Sequence, residues 1–321
     1  MTSQSLLSAI TSPGVLWMLA ILGLFLWMLF RPDTNEAPKI LLLILVVTLQ
    51  PFTSAVMNAE NHVSPLKFDY FLYLIDKAVG LSAFWVARLF TGWGRSVLFG
   101  VYQSLAAVMI AWYGVSLKRR DGQPGKLLLA YLIAFAAGPC LYMIVPASGP
   151  RYAFGSAFPM GDPQVTLVLL RLNSWPNAIP SLHVATALLF VFFAGKGWIL
   201  RSIAWLYLAG TVAATLAFEH YVIDLVVAAP FACFAARLAE RRIRPAVANL
   251  AAVLAWMLAI RWATPVLLIY PAVLRILVLA TVGCVFVPTA TRRRPVDAVE
   301  PRPARANGAA ESPERWPVQC S

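Results

Sequence analysis

Charged residues are scarce in this sequence: they make up 12% of its 321 positions, and only 14 of them are acidic. Hydrophobic residues reach 60%, and the mean hydropathy is +0.73. A water-soluble domain of this composition would expose large apolar patches, whereas a membrane-spanning helix needs roughly 20 apolar residues in succession. The composition therefore argues against a soluble globular protein and predicts an all-α, polytopic transmembrane helical bundle.

Cysteines and acidic residues are also few, and their positions bear on disulfide bonds and metal sites. The four cysteines do not suggest a disulfide framework, because Cys140, Cys233 and Cys284 fall within apolar runs and Cys320 lies near the C-terminus. The acidic residues are scattered and form no cluster with the spacing of metal ligands. The sequence therefore shows no ligand cluster that points to a metal or another cofactor.

The apolar runs predict about nine membrane spans. They cover approximately residues 13–30, 40–57, 96–117, 127–146, 178–194, 198–217, 221–238, 246–261 and 264–287. The last two runs also suit one merged or re-entrant segment. The first run lacks a basic region before it and a small-residue cleavage site after it, which favours a retained helix over a signal peptide.

These spans divide the chain into four predicted parts. Residues 1–95 hold two spans and an outer interfacial segment, residues 96–245 form a membrane core, and residues 246–287 add two C-terminal spans. Residues 288–321 are rich in Pro, Ala and Arg without apolar periodicity, which predicts a disordered cytoplasmic tail.

Lysine and arginine residues concentrate in three short loops. The loops contain Lys118, Arg119, Arg120 and Lys126; Lys196 and Arg201; and Arg237, Arg241, Arg242 and Arg244. Because short basic loops stay on the cytoplasmic side of a membrane, topology explains the net charge of +12 better than a nucleic-acid partner does. The extracytoplasmic face then carries the loop from Pro146 to Trp175 and the polar residues around His183 and His220.

The residues between Glu60 and Arg95 mix aromatic with charged side chains, which is typical of helices that lie in the membrane interface. Two interpretations are open. The segment gates the access of lipid to an outer site, or it is a structural collar whose aromatic rings lie at headgroup level. His62 belongs to this segment, and we assign it no role.

Two short polar stretches adjoin apolar spans and contain the other two histidines. They are Asn177-Ala-Ile-Pro-Ser-Leu-His183 and Glu219-His-Tyr-Val-Ile-Asp224. His220 and Asp224 stand four residues apart, a spacing that places them on one face of a helix. The carboxylate can then hold one imidazole nitrogen protonated and leave the other free to attack. Taken alone, such a pair is more often an ordinary helix-end hydrogen bond.

Ser181 and Arg151 each have a structural and a functional interpretation. Ser181 is placed to cap a helix whose first free amides form a natural anion site, although capping alone also explains a serine there. Arg151 follows Pro150 in the outer loop and offers several donors suited to phosphate oxygens. An exposed arginine is, however, commonly just solvated.

In combination, these motifs resemble the signature of the membrane type-2 phosphatidic acid phosphatases, a superfamily related to the vanadium haloperoxidases. Ser181 and His183 match its Pro-Ser-Gly-His element, with Leu182 in place of glycine. His220 and Asp224 match its His-x-x-x-Asp element. The resemblance covers roughly residues 138–236.

The chain also departs from that signature. Pro150-Arg151 reverses the family's Arg-Pro order, no lysine stands seven residues before Arg151, and Ala213 and Ala214 occupy the family's Ser-Arg positions. The Pro-Ser-Leu-His and His-Tyr-x-x-Asp-Leu sequences look more like the branch that contains fungal inositol phosphorylceramide synthases, which move a phospho-headgroup between lipids.

The resemblance implies a phosphatidic-acid-phosphatase-like helical core and a metal-independent reaction on a lipid phosphate or phospholipid. His220, oriented by Asp224, would attack phosphorus and form a phosphohistidine. His183 would serve first as acid and then as base, while Arg151 and Ser181 would bind the phosphoryl oxygens. Water as acceptor gives a phosphatase, and a lipid or sugar-alcohol hydroxyl gives an inositolphosphotransferase-like transferase.

Two other functions remain open. A transporter would need ionisable residues near the bilayer centre, and among the spans only Arg275 fits. A catalytically silent relative that binds lipid headgroups would account for Ala213 and Ala214, although retention of both histidines argues against it. The Ala- and Arg-rich, Lys-poor composition suggests a bacterial inner membrane with a periplasm-facing site.

Overall fold

The computed structural model describes residues 56–119 and 121–286, and this part of the chain is largely helical. Residues 56–63 are helical. The helices that follow are α1 (Asp69–Val79), α2 (Ala83–Leu89), α3 (Gly92–Gln103), α4 (Leu105–Lys118), α5 (Pro124–Tyr142), α6 (Pro150–Phe154), α7 (Leu182–Phe192), α8 (Trp198–Phe218), α9 (Val222–Ala239), α10 (Ile243–Trp262), α11 (Thr264–Ile269) and α12 (Pro271–Phe286). The predicted span at 13–30 and the tail 288–321 lie outside the described residues. The predicted span at 40–57 also lies outside them, except for its last two residues.

The predicted count of nine spans is not confirmed. Within the described residues, α5, α8, α9 and α10 are long and apolar enough to cross a membrane, and the count rises to six if the bent pairs α1–α2 and α3–α4 are each one span. The run at 178–194 yields only the 11 residues of α7. At about 1.5 Å per residue this helix is roughly half as long as a bilayer core is thick. The run at 264–287 is divided into α11 and α12.

Helix α9 lies at the centre of the bundle. It packs against α5, α7, α10 and α12, and its residues Val227, Ala228, Phe231 and Ala232 have no exposed surface. A helix that is apolar on every side is buried on every side, so its sequence fits this place. Because α9 begins at Val222, two residues after His220, the central position of the helix also fixes the position of that histidine.

Two loops outside the helices are joined by a short ladder. Strand β1 (Leu66–Lys67) pairs antiparallel with β2 (Leu170–Arg171). Lys67 is fully buried, and its ammonium group donates to the carbonyl of Ser64 at 2.7 Å. Burial lowers the pKa of Lys67, an effect that nearby Asp69 and Glu60 oppose. The ladder thereby ties the chain before α1 to the long loop that leads into α7.

Helix α1 is part of the core rather than a layer on its surface. Leu72 and Ile75 are fully buried, and Asp69 and Asp76 are 0% and 1% exposed. Helices α1 and α2 lie within residues 60–95, where the sequence predicts helices in the membrane interface. Their interfacial position stays a prediction. A buried carboxylate is stable only if it is hydrogen-bonded, so these two aspartates require partners inside the protein.

Asp69 and Asp76 find those partners in the backbone of two other segments. Asp69 accepts the amide of Gly149 at 2.7 Å and that of Ser148 at 3.1 Å. Asp76 accepts the amides of Val222 at 2.7 Å and of Ile223 at 3.1 Å, which open helix α9. Since the two aspartates stand seven residues apart, they lie on one face of α1. The helix therefore holds the loop before α6 and the start of α9 in one fixed arrangement.

The C-terminal helices brace α1 from the other side. The Arg275 guanidinium of α12 donates through Nε to the carbonyl of Ala78 at 3.1 Å, near the end of α1. Arg261 of α10 donates to the carbonyl of Ile144 and lies over the ring of Phe68. Arg275 is thus engaged with the last turn of α1, and this contact explains its presence in the span without a role in transport.

The basic loops lie at the end of the bundle opposite the histidines. Helices α4, α7 and α9 end at the loops rich in Lys and Arg, whereas His183 lies in the first turn of α7 and His220 lies two residues before α9. Two of these loops are joined by Asp121, which binds the Arg119 guanidinium at 2.9 Å and the Lys196 amide at 2.8 Å. The Arg119 guanidinium, together with this amide, lowers the pKa of Asp121 to about 2.

This arrangement predicts that Gln123 and Ser156 lie on opposite sides of the membrane. Both residues are exposed, Gln123 at the basic end and Ser156 just after α6. In a variant without native cysteines, Gln123→Cys and Ser156→Cys should react with an impermeant thiol reagent from opposite sides. Labelling of both from the same side would contradict the arrangement of the helices.

A second prediction concerns Asp76. Asp76→Ala leaves two buried amides without a partner, and each orphaned group costs about 1–3 kcal/mol. We expect a clear fall in the apparent melting temperature in detergent. The matched control is Asp162→Ala, because Asp162 is 65% exposed, pairs with Lys77 at 3.2 Å and accepts the Tyr73 hydroxyl at 2.7 Å. Exposed ion pairs contribute about 0–1 kcal/mol, and Asp162, unlike Asp76, binds side chains rather than helix-start amides. Equal stability of the two variants would show that the Asp76 contacts are unimportant.

Candidate active site

His220 lies in the tight turn between α8 and α9. Helix α8 ends at Phe218, and the amides of Glu219 and His220 both donate to the carbonyl of Thr215 at 2.9 Å. The imidazole is 2% exposed. The turn is compact because its backbone donors are satisfied by α8 on one side, while Asp76 satisfies the first amides of α9 on the other.

Two groups contact the Nδ1 atom of His220. The carbonyl oxygen of Ala178 lies 2.9 Å away, and Oδ2 of Asp224 lies 3.4 Å away. A carbonyl oxygen only accepts hydrogen bonds, so Nδ1 must carry the proton. The Nε2 atom then has a free lone pair in the neutral ring. The predicted pairing of His220 with Asp224 is observed, but the nearer orienting group is the Ala178 carbonyl.

Asp224 contributes more than its contact with the imidazole. Its Oδ2 accepts the amide of Tyr221 at 2.7 Å, and its backbone carbonyl accepts the amide of Ser181 at 3.3 Å. The side chain is fully buried. Asp224 therefore connects three segments by its contacts: the turn that holds His220, the start of α9 and the start of α7.

Ser181 caps helix α7, as predicted. Its Oγ accepts the amide of Val184 at 3.5 Å and lies 3.4 Å from Nε2 of His220. Because that nitrogen carries the lone pair, the hydroxyl is placed to donate to it. The amides of Leu182 and His183 belong to the first turn, where a helix offers no internal acceptor. Ser181 thus marks a small polar space next to the free nitrogen of His220.

His183 faces the same space from the first turn of α7. Its ring centroid lies 6.2 Å from that of His220, with an interplanar angle of 64°. The two imidazoles are in edge-to-face contact, so both are close enough to act on one substrate. His183 is half-buried and therefore more open than His220. The structure thus brings together four of the five predicted site residues: Ser181, His183, His220 and Asp224.

Arg151 stands apart from these four. It is exposed on the short helix α6, and its guanidinium makes no hydrogen bond or ion pair within the described residues. Helix α6 is nevertheless held near the site, because Gly149 packs directly on the carbonyl of Glu219. Gly149 has φ of 97°, and a Cβ there would lie 1.9 Å from that oxygen. Only glycine fits this contact.

Three residues at the rim were missed by sequence reasoning. The Glu219 carboxylate accepts the Tyr102 hydroxyl at 2.8 Å and the Tyr152 hydroxyl at 3.2 Å. Partial burial and the Glu219 charge raise the pKa of Tyr152, so the phenol remains a donor. Glu219 lies inside the polar stretch that the sequence singled out. Tyr102 carried no signal, since it lies within an apolar run.

The two alanines at the family's Ser-Arg positions are part of this region. Ala214 is fully buried in α8, so a side chain as long as arginine has no room there in this packing. A different cation is present at the same end of α8. The Arg95 guanidinium of α3 lies 5.4 Å from the ring centroid of Phe218, two residues before His220. Arg95 is half-buried and was not predicted as a site residue.

Comparison with known proteins agrees with this geometry. No curated protein and no solved structure matches the chain. A family model described as the PAP2 superfamily matches residues 71–238. The match begins in α1 and therefore includes part of the segment that was predicted to lie outside the core. It does not distinguish the inositol phosphorylceramide synthase branch from others. Because the match covers more than half of the chain, the protein belongs to the PAP2 superfamily of type-2 phosphatidic acid phosphatases and their relatives.

Proposed function

We propose that the protein is an integral-membrane enzyme that hydrolyses or transfers the phosphate of a lipid through a phosphohistidine on His220. One observation carries the proposal. The Nδ1 atom of His220 is held by the Ala178 carbonyl at 2.9 Å, which leaves Nε2 unprotonated and directed toward Ser181. An imidazole fixed in this tautomer is a nucleophile with a defined direction of attack. Membership of the PAP2 superfamily supports a phosphatase or phosphotransferase.

In the first step, the Nε2 lone pair of His220 forms a bond to phosphorus while the bond from phosphorus to the leaving oxygen breaks. The ring becomes positively charged, and the Asp224 carboxylate at 3.4 Å from Nδ1 stabilises that charge. His183, in its protonated form, gives its proton to the leaving oxygen. We propose that both histidines contact the same bound phosphoryl group, which is supported by the edge-to-face contact of their rings, with centroids 6.2 Å apart.

In the second step, the roles are reversed. A water or alcohol oxygen attacks the phosphorus of the phosphohistidine, and His183, now neutral, takes the proton of the incoming hydroxyl. The bond between Nε2 and phosphorus breaks and returns the electron pair to His220. Water gives a phosphatase, whereas an alcohol gives a transferase. The likeness of Pro-Ser-Leu-His to the inositol phosphorylceramide synthase branch favours transfer of a phospho-headgroup to an alcohol.

The phosphoryl oxygens need donors that act as charge develops. Ser181 and the first amides of α7 lie beside Nε2 of His220, and preorganised donors of this kind stabilise a transition state. Arg151 on α6 supplies a guanidinium when substrate is bound. We propose that Arg95 is the second cation, in place of the arginine that Ala214 replaces. The described residues contain no group of three His, Cys, Asp or Glu side chains suited to a metal ion, and we propose a metal-independent reaction.

We also propose that the site faces the extracytoplasmic side, which in a bacterial inner membrane is the periplasm. The supporting observation is the position of the basic loops at the other end of the bundle, because such loops remain in the cytoplasm. In the labelling experiment above, Ser156→Cys would then be the variant that reacts from outside. Labelling of Gln123→Cys from outside would invert the orientation.

The nucleophile is tested by substitution. We expect His220→Ala to abolish turnover and to prevent trapping of labelled phosphate on the denatured protein. Asp224→Asn should lose about 10²-fold in kcat, less than the roughly 10⁴-fold known for carboxylate-oriented histidines, because the Ala178 carbonyl still holds the tautomer. A fully active His220→Ala variant would exclude the covalent mechanism.

Inhibition by vanadate tests both the enzyme class and the absence of a metal. Vanadate bonded to a histidine nitrogen resembles a five-coordinate phosphoryl group, so it should compete with substrate. Arg151→Ala should weaken this inhibition, whereas Arg275→Ala, the matched control on α12, should not.

A chelator should leave activity unchanged. Loss of activity on chelation and recovery with Mg²⁺ would contradict the metal-free mechanism, and measured flux without phosphate release would favour a transporter.

The silent-relative alternative is excluded by any turnover. Purified protein should be incubated with phosphatidate, a polyprenyl phosphate and a phospho-headgroup lipid, each with and without a hydroxyl acceptor. Release of free phosphate identifies a phosphatase, and a new lipid product identifies a transferase. Binding of these lipids without turnover of any of them would support the silent relative.

A further inference from the structure

The two histidines of the site are held in very different ways. Both ring nitrogens of His220 have partners, the Ala178 carbonyl at 2.9 Å and Ser181 Oγ at 3.4 Å. His183, within the described part of the chain, has no hydrogen bond to either ring nitrogen. Its observed ring contacts are the edge of His220 and a parallel aromatic ring. The orientation of the proposed acid therefore depends on ring packing.

That parallel ring belongs to Tyr102 of α3. The centroids of Tyr102 and His183 are 4.1 Å apart, and the planes differ by 20°. Tyr102 is 8% exposed, so its ring is itself fixed by the core. Stacking at this distance restricts rotation of the imidazole about its outer side-chain bond. The face of His183 is thus covered, and its nitrogens are directed along the plane of the stack.

The hydroxyl of Tyr102 is also fixed. It donates to Oε2 of Glu219 at 2.8 Å, and Glu219 immediately precedes His220. The second oxygen of Glu219 accepts Tyr152 at 3.2 Å. A phenol bound to a carboxylate forms a charge-assisted hydrogen bond, which is shorter and stronger than a neutral one. Tyr102 therefore connects the acid on α7 to the turn that carries the nucleophile.

We propose that Tyr102 is a positioning residue for His183: its ring sets the plane of the imidazole, and its hydroxyl, anchored on Glu219, sets the distance of that plane from His220. The inference rests on the proposed roles of His183 and His220. It assigns a function to a helix, α3, that supplies no residue to the sequence motifs. Loss of Tyr102 then impairs the transfer of a proton to the leaving group and leaves the attack by His220 intact.

The test uses substrates that differ in their need for an acid. The leaving group of an alkyl phosphate lipid is an alkoxide, which requires a proton to depart. The leaving group of an aryl phosphate analogue is the anion of an acidic phenol, which departs without a proton. General acid catalysis contributes about 10²- to 10⁴-fold. We expect Tyr102→Leu to lose about tenfold or more in kcat/KM on the alkyl substrate and less than about twofold on the aryl one. The ratio kcat/KM is used because it reports formation of the phosphohistidine.

A double-mutant cycle tests the anchor. Tyr102→Phe keeps the stacked ring and removes the hydroxyl, and Glu219→Ala removes the other end of the same bond. Each should lower kcat/KM on the alkyl substrate by less than Tyr102→Leu does. Because both changes remove one interaction, the double variant should lose no more than the worse single variant. Fully additive losses would overturn the anchoring role.

Tyr131→Leu is the matched control. Tyr131 is a buried tyrosine of α5 that packs on Phe135 with 4.4 Å between ring centroids. Its loss should affect both substrates equally. An equal loss on both substrates in Tyr102→Leu would likewise reduce Tyr102 to a packing residue and overturn the proposal. If Tyr102→Leu does not fold, the cycle with Tyr102→Phe decides.

His183→Ala tests the proposed role of His183 separately from the proposed role of Tyr102. If it spares the aryl substrate but Tyr102→Leu does not, the role of His183 stands and that of Tyr102 falls. If His183→Ala shows no preference between leaving groups, the proposed acid itself is wrong.

Discussion

Two buried carboxylates on one helix hold the candidate site together. Asp69 and Asp76 of α1 accept backbone amides from the loop before α6 and from the first turn of α9. Each carboxylate would be unstable in an apolar bundle without these donors, and each amide would be unpaired without the carboxylate. The position of Asp76 at the start of α9 is favourable in addition, because the amino end of a helix attracts negative charge. These mutual requirements fix α1, the Gly149 loop and the His220 turn as one unit.

The remaining contacts of the site follow from this unit. With the start of α9 fixed, Asp224 reaches both the Tyr221 amide and His220, and its carbonyl binds the start of α7. Helix α7 then begins beside Nε2 of His220 and brings the ring of His183 into edge-to-face contact with that of His220. In the proposed reaction, the nucleophile is held by hydrogen bonds and the acid by stacking on Tyr102. The acid must lose one proton and regain one in each turnover, and an aromatic face does not compete for that proton.

The departures from the family signature also become intelligible in the structure. Ala214 is completely enclosed in α8, and the cations near the site, Arg95 and Arg151, come from α3 and α6. Glu219 adds a negative charge at the rim, bound by two tyrosine hydroxyls. On the proposed function, the positive charge that phosphate needs is supplied from the mouth of the site. Arg275, in contrast, is engaged by α1 and has no part in this chemistry.

Local geometry explains what the sequence determined by itself. A bundle of apolar helices follows from composition, the contact of His220 with Asp224 follows from a spacing of one helical turn, and the cap by Ser181 follows from its place before α7. Tertiary structure decided the rest, because the partners are far apart in the chain: Ala178 lies 42 residues before His220, and Asp69 lies 152 residues before Tyr221. A backbone carbonyl is present at every residue, so the sequence does not mark the one that binds His220. An aspartate or tyrosine inside an amphipathic or apolar run likewise carries no pattern that identifies its distant partner. Hydropathy did not by itself fix the number of spans. An apolar run indicates burial in lipid or in protein, but it does not reveal where a helix bends or breaks.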